Sequence, residues 1–334
     1  MMSPKYFTTA LVATVALSFL GADEIKGRGS MFPAPLYKVW GEAYYAVTKS
    51  SVRYIPTDSL DGIRSISRGM ADFSAVDTPL DPSVLEKKRL LVFPSVLDAV
   101  VLAYNIKGVK DGALKLSRSA ILGIFNGSIA FWDDPKITKV NQGLTLPHAP
   151  ITVVVDAQRS TTTLNFTSFL NRLDSTIKAS KKPRWKAKRV IAGRANAGVS
   201  LTVKQTENTL GYVDYLFKKR FGLSTAQIEN REGNFINPTP LAFQEAFKNA
   251  SPKGIDGGTK RIDDPMGETA YPIISASYVL LSKEQVESNK KVVDFMNWAY
   301  THGDNSATNL GYVPLPQATK EAIRNYWKSI PQSK

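Results

Sequence analysis

The chain has 334 residues, 43% hydrophobic and 22% charged, a balance that excludes a disordered or wholly membrane-embedded polypeptide. It exceeds the roughly 250 to 300 residues at which a single core stops growing, so two lobes are expected. The 43 Lys and Arg against 29 Asp and Glu give a net charge of +14 and favour anionic partners, while the absence of cysteine excludes disulfides, thiolate metal sites, a cysteine nucleophile and a lipid-bearing cysteine.

Taken in chain order, Lys5 precedes an uncharged apolar run from Tyr6 to Leu20, then Gly21-Ala22 and the first acids, Asp23 and Glu24. This layout predicts an export signal over residues 1–22. It is short for a membrane span, which needs about 20 predominantly apolar residues, and no later segment qualifies. Removing it deletes only Lys5, so +14 becomes +13.

Gly27-Arg28-Gly29 opens like a dinucleotide fingerprint, but Phe32 and Pro33 stand where its last glycine and helix belong. The segment reads instead as a glycine-flexed loop ahead of a helix over Leu36–Val47, whose first-turn N–H groups offer an anion seat. Val52–Ile55 reads as a strand, Gly62–Gly69 as a short helix opened by Ser59 and Asp61, and Phe73–Val76 as the next strand. Two long β-rich runs, residues 92–105 and Tyr271–Leu281, predict strands along which the chain leaves a lobe and later rejoins it.

Between those runs the pattern predicts a helix near Ser119–Phe125, a strand at Ile151–Val155, a helix from about Ser160 and an apolar run at Leu210–Phe217. Ser160-Thr161-Thr162-Thr163 is the second anion seat, hydroxyls at the positive end of a helix, and Ser59 repeats the arrangement. Lys178–Arg189 (KASKKPRWKAKR) is basic with one Trp, a solvated surface loop rather than a nucleic-acid site. Ser251–Gly267 reads as a surface excursion, and Asn289–Thr301 and Gln317–Ser329 as amphipathic helices. The alternation of strands and helices predicts α/β lobes with mostly parallel sheets.

Enzymatic signatures are absent: there is no H-E-x-x-H, G-x-S-x-G or G-x-x-x-x-G-K-[ST], and both histidines, His148 and His302, fall in loop-like surroundings. No catalytic residue, metal ligand or cofactor loop is assigned.

Several segments together resemble the periplasmic phosphate-binding proteins of ABC importers. Gly27-Arg28-Gly29-Ser30-Met31-Phe32-Pro33-Ala34-Pro35-Leu36-Tyr37 is similar to that family's opening, and Ala71–Leu80 to its D-F-G-A-S-D-x-P-L. Ile124-Phe125-Asn126-Gly127 with Trp132-Asp133-Asp134-Pro135, Phe166–Leu170, Leu210–Val213 and Phe295–Tyr300 continue the likeness over residues 25–330. The resemblance implies a two-lobed, type II Venus-flytrap α/β fold with two crossing hinge strands, closing over one dehydrated phosphate. Residues 23–100 plus 273–334 then form lobe I and 101–272 lobe II.

By position, phosphate meets the N–H groups of Met31 and Phe32, Ser59, the carboxylate of Asp77, and Ser160, Thr161 and Thr162. Asp77 accepts a hydrogen bond from protonated phosphate and repels sulfate. The family's loop R-x-D-G-S-G-T is here Asp156–Thr162, so an acid holds the arginine position, and Arg159 or Arg28 is expected to face the ligand in its place. The implied partners are inorganic phosphate and the permease subunits and ATPase of an importer, with no nucleic acid, the protein acting as a periplasmic monomer. Rival expectations are a diverged receptor or sensor for another oxyanion, a phosphate-ester hydrolase on the same clamp, and an adhesion protein using the basic face.

Overall fold

The computed structural model describes residues 24–250 and 262–330. The expected export signal lies outside the described residues, as does most of the Ser251–Gly267 excursion.

The first part of the chain forms β1 (Glu24–Ser30), α1 (Ala34–Thr48), β2 (Ser51–Thr57), α2 (Ser59–Ser67), β3 (Phe73–Val76), α3 (Pro82–Lys87) and the long β4 (Leu90–Asn105). There follow β5 (Lys115–Leu116), α4 (Arg118–Asn126), α5 (Pro135–Thr138), β6 (Thr152–Asp156), α6 (Thr161–Leu173), β7 (Val190–Gly193), α7 (Ala195–Gln205), β8 (Thr209–Asp214) and α8 (Tyr215–Phe221). The chain ends through β9 (Ser224–Thr225), β10 (Gln227–Glu229), β11 (Phe235–Ile236), α9 (Pro240–Ala250), β12 (Ile274–Ser282), α10 (Val286–His302), α11 (Asp304–Leu310) and α12 (Gln317–Trp327).

The main sheet runs β2-β1-β3-β12-β4-β8-β6-β7. Pairing is parallel among β1, β2 and β3, and again among β6, β7 and β8, while β12 and β4 are antiparallel to their neighbours. Each parallel half is an α/β unit, and β4 belongs to both. Its residues Leu90–Ala99 pair with β12, and Val100–Asn105 pair with β8. The chain returns beside the same point, where the Val100 N–H donates to the Ile273 carbonyl at 2.9 Å. The two crossings are thus the two apolar runs seen in the sequence, because strands buried on both faces need side chains that are apolar throughout.

Two local expectations need correction. Gly27 and Gly29 lie inside β1, not in a loop: a Cβ at Gly29 would come within 2.3 Å of the Ala75 carbonyl, so the glycines let β1 press against β3. α2 begins three residues earlier than predicted, and its cap is Asp58, whose side chain accepts the Asp61 N–H at 2.9 Å. The Leu210–Phe217 run is a strand and a helix that meet at Asp214.

Candidate functional site

In open α/β sheets ligands collect outside the carboxyl ends of strands, and here the ends of β1, β3 and β6 converge on one cleft. A cavity of about 40 Å³ sits there, lined by Phe32, Asp77, Asp98, Thr161, Thr162, Asn165, Asp214, Ser275 and Ala276. That space holds two or three water-sized groups, or one small tetrahedral anion. A wider groove of about 770 Å³, flanked by Trp185, Lys182 and Arg184, lies apart and shares none of these residues.

The first wall follows β1. Ser30 Oγ donates to the Asp77 carboxylate and accepts the Phe32 N–H at 3.1 Å. Phe32 is fixed from behind by Tyr312, whose hydroxyl donates to the Phe32 carbonyl at 2.6 Å and whose ring meets it edge-on at 5.1 Å. On its other oxygen Asp77 accepts the Ser277 hydroxyl at 3.0 Å. Loss of water around the carboxyl pushes its pKa up to about 6, against the pull of the two serine hydroxyls and the charge of Lys181.

The second wall is the start of α6. Ser160 caps it, accepting the Thr163 N–H at 3.1 Å and donating to Thr163 Oγ1 at 2.8 Å. The helix is held by an aromatic stack in which Phe166 lies 4.8 Å from Tyr212 and 4.6 Å from Phe125. Its first-turn N–H groups and Thr161 and Thr162 therefore face the cavity on a rigid support, the arrangement that suits an oxyanion. Among the described residues no group of three or more His, Cys, Asp or Glu is placed to hold a metal ion.

Of the residues singled out in the sequence, the structure brings Phe32, Asp77, Thr161 and Thr162 onto the cavity, with Ser160 directly behind as cap. Met31 is 67% exposed, and Ser59 is half-buried at the start of α2 beyond the lining. Neither guanidinium lines the cavity. Arg28 Nε pairs with Asp61 at 2.6 Å, which holds that carboxyl below its usual range, and Arg159 is exposed with no ion pair among the described residues. Asp156 is buried and serves the backbone, accepting the N–H groups of Gln158 at 2.9 Å and Ala195 at 3.1 Å. The acid at the arginine position is thus a loop brace between β6 and α7.

Several residues escaped sequence reasoning. Asp98 and Asp214 are lone acids inside apolar runs, and that interruption was the available signal. Ser275 stands opposite Asp98 on β12. Lys181 belongs to the basic run taken for a solvated loop, yet its carbonyl accepts the Ser160 N–H at 3.1 Å and its charge reaches Asp77. His148 is exposed, within 2.7 Å of Asp133 and stacked on Phe131, and His302 is exposed beside Trp298.

A family model described as a PBP superfamily domain matches residues 14–302. The chain is 34% identical over 325 residues to the phosphate-binding protein PstS of Pasteurella multocida, covering 96% of this chain and 94% of that one. It is 33% identical to PstS of Haemophilus influenzae, covering 94% and 95%. In fold it is similar to a high-affinity periplasmic phosphate-binding protein, PfluDING, solved with phosphate, at a TM-score of 0.66 and 20% identity over 90% and 93% of the two chains. An ABC-type phosphate transport receptor from Vibrio cholerae gives a TM-score of 0.58 at 18% identity over 87% and 100%. Two lobes sharing β4, a small polar cavity between them and this degree of identity over nearly the whole chain lead to one conclusion: the chain belongs to the PstS phosphate-binding protein family of the PBP superfamily.

Proposed function

We propose that this protein captures inorganic phosphate in the periplasm and delivers it to the permease and ATPase of an ABC importer, without catalysing a reaction. The observation that carries the reading is the oxyanion-sized cavity between Asp77 on one wall and the hydroxyl-rich start of α6 on the other, in a chain whose relatives are named phosphate-binding proteins. Asp77 accepts a hydrogen bond from the proton that phosphate carries and sulfate lacks, which sets selectivity. Phe32, Ser160, Thr161 and Thr162 supply donors, and further closure of the lobes adds the Met31 N–H, Ser59 and Arg159. Lobe I comprises residues 23–100 and 273–334 and lobe II residues 101–272, hinged at the two crossings. Residues 1–22 are read as the export signal, and the mature protein works as a monomer.

The test follows melting temperature with phosphate, sulfate and nitrate, and incubates the same protein with a chromogenic phosphate ester. Stabilisation by phosphate alone with no ester turnover is expected. Turnover abolished by Asp77→Ala would replace the receptor with a hydrolase. A second reading, a receptor for another oxyanion, is favoured by the absence of a guanidinium from the cavity lining, and the same panel identifies it.

A further inference from the structure

The cavity floor holds two carboxyl groups that the receptor reading does not use. Asp98, in the middle of β4, is 7% exposed, and Asp214, at the end of β8, is 8% exposed. Asp214 pairs with Val100, two residues along β4 from Asp98, and both carboxyls line the same cavity, within hydrogen-bond reach of each other. Two carboxylates can share a hydrogen bond only if one of them carries a proton. The pair is also held from outside: Asn196 Nδ2 donates to Asp214 at 2.8 Å and to Thr162 Oγ1 at 3.0 Å, leaving the Thr162 hydroxyl to donate to Asp214. Asp98 accepts the Ala99 N–H.

Every element packed around the pair adds to the balance. Asp77 faces it from the end of β3 and Tyr312 from the segment before α12, Tyr37 on α1 acts on Asp77, and Thr162 and Asn196 contribute only neutral hydrogen bonds from α6 and α7. Lys181, acting on Asp77 from the loop after α6, is the nearby cation. Burial raises both members of the pair above the usual carboxylate range; the charges of Asp214 and Asp77 raise Asp98 further, and that of Asp77 raises Asp214, whereas the hydrogen bond from Asp98 pulls Asp214 back down. With one proton on the pair, the acids Asp77, Asp98 and Asp214 carry two negative charges against one positive. A phosphate dianion entering that space, with water excluded, meets a net repulsion that a single added proton relieves.

We propose, building on the receptor reading above, that the Asp98–Asp214 pair sets the protonation state in which the cleft accepts its oxyanion, so that each phosphate dianion is captured together with one proton from solvent. That proton is held in the hydrogen bonds between the pair and the ligand. Doubly protonated, the pair presents O–H donors to phosphate oxygens in the place where a cation is missing. Sulfate can draw the same solvent proton onto the pair, but it has no proton of its own to donate to Asp77 and is rejected there.

The experiment is calorimetric titration of the full mature protein with inorganic phosphate near pH 8, in two buffers of different ionisation enthalpy, for the native chain and for Asp98→Asn and Asp214→Asn. The native chain is expected to take up about one proton per phosphate, and its affinity to fall about tenfold per pH unit between about pH 7 and 8.5. In the variants the uptake falls below about half a proton and the pH slope flattens to about threefold or less. Phosphate binding by the native chain with no proton uptake overturns the proposal and leaves the receptor reading intact, as does an unchanged proton count in folded variants. Absence of phosphate binding at every pH from about 5.5 to 8.5 removes both. Should the variants fail to fold, carboxyl 13C spectra of the native chain at about pH 8 decide: a carboxyl that gains a proton on phosphate addition supports the proposal, and carboxyl signals unchanged by phosphate overturn it.

Discussion

Replacing Ser160 with Ala separates two roles that one hydroxyl plays. The Oγ atom caps α6 through the Thr163 N–H at 3.1 Å and donates to Thr163 Oγ1 at 2.8 Å. Loss of a Ser cap costs about 1 kcal/mol, which in a chain of this size lowers Tm by about 1–2 °C. If the same residue also orders the donors that meet phosphate, a charge-assisted hydrogen bond of about 1.5–3 kcal/mol goes with it, a loss of roughly 10- to 150-fold in affinity. Ser117→Ala is the matched control. It removes the equivalent cap of α4, where Ser117 Oγ accepts the Ala120 N–H at 3.1 Å, and Ser117 does not line the cavity. Thermal melts with phosphate calorimetry on both variants should show similar losses of Tm, with affinity lost only in Ser160→Ala. If Ser160→Ala keeps native affinity within about twofold, the start of α6 is not the anion seat.

Burial pushes the Asp77 carboxyl from its ordinary 3.8 up to about 6, so the folded state binds more protons than the unfolded one between those values. Ligand-free stability therefore falls as pH rises through about 4 to 6, by up to about 3 kcal/mol, and Asp77→Asn should flatten that part of a denaturant-midpoint profile. Lys181→Gln should weaken phosphate binding severalfold and reduce its salt dependence, whereas Lys182→Gln, exposed on the neighbouring groove, should change neither; calorimetry at two ionic strengths reads both. Asp156→Ala strands the N–H groups of Gln158 and Ala195 and should cost about 1–3 kcal/mol of unfolding free energy. Phe166→Ala, in the stack behind α6, should cost about 3–5 kcal/mol by the same denaturant assay.

The fold was legible because its determinants are local and repetitive. The two crossing strands announced themselves as long, mostly apolar runs, and the Ser-Thr-Thr-Thr run at the start of α6 carried its own capping signal. Element ends were less visible: α2 begins at Ser59 because Asp58, not Ser59, reaches the Asp61 N–H, a choice set by backbone geometry at one residue. Within the site, residues on contiguous motifs were found, such as Phe32, Asp77 and Thr161. Asp98 and Asp214 were not, since their meeting depends on the pairing of β4 with β8, a contact between segments more than a hundred residues apart. Arg28 illustrates the converse. A guanidinium beside an anion-site loop suggested ligand contact, but Asp61, brought alongside by α2, pairs with it.

The receptor account is tested most directly by titrating the mature protein, freed of carried-over ligand by mild unfolding and refolding, with phosphate and then sulfate by calorimetry while following Tm. A ligand that binds only the folded clamp adds about 2.7 kcal/mol at 100 times its dissociation constant, so binding registers in both readouts. One phosphate per chain, with sulfate failing to compete, is the predicted result; heat and Tm unchanged by phosphate would contradict the account.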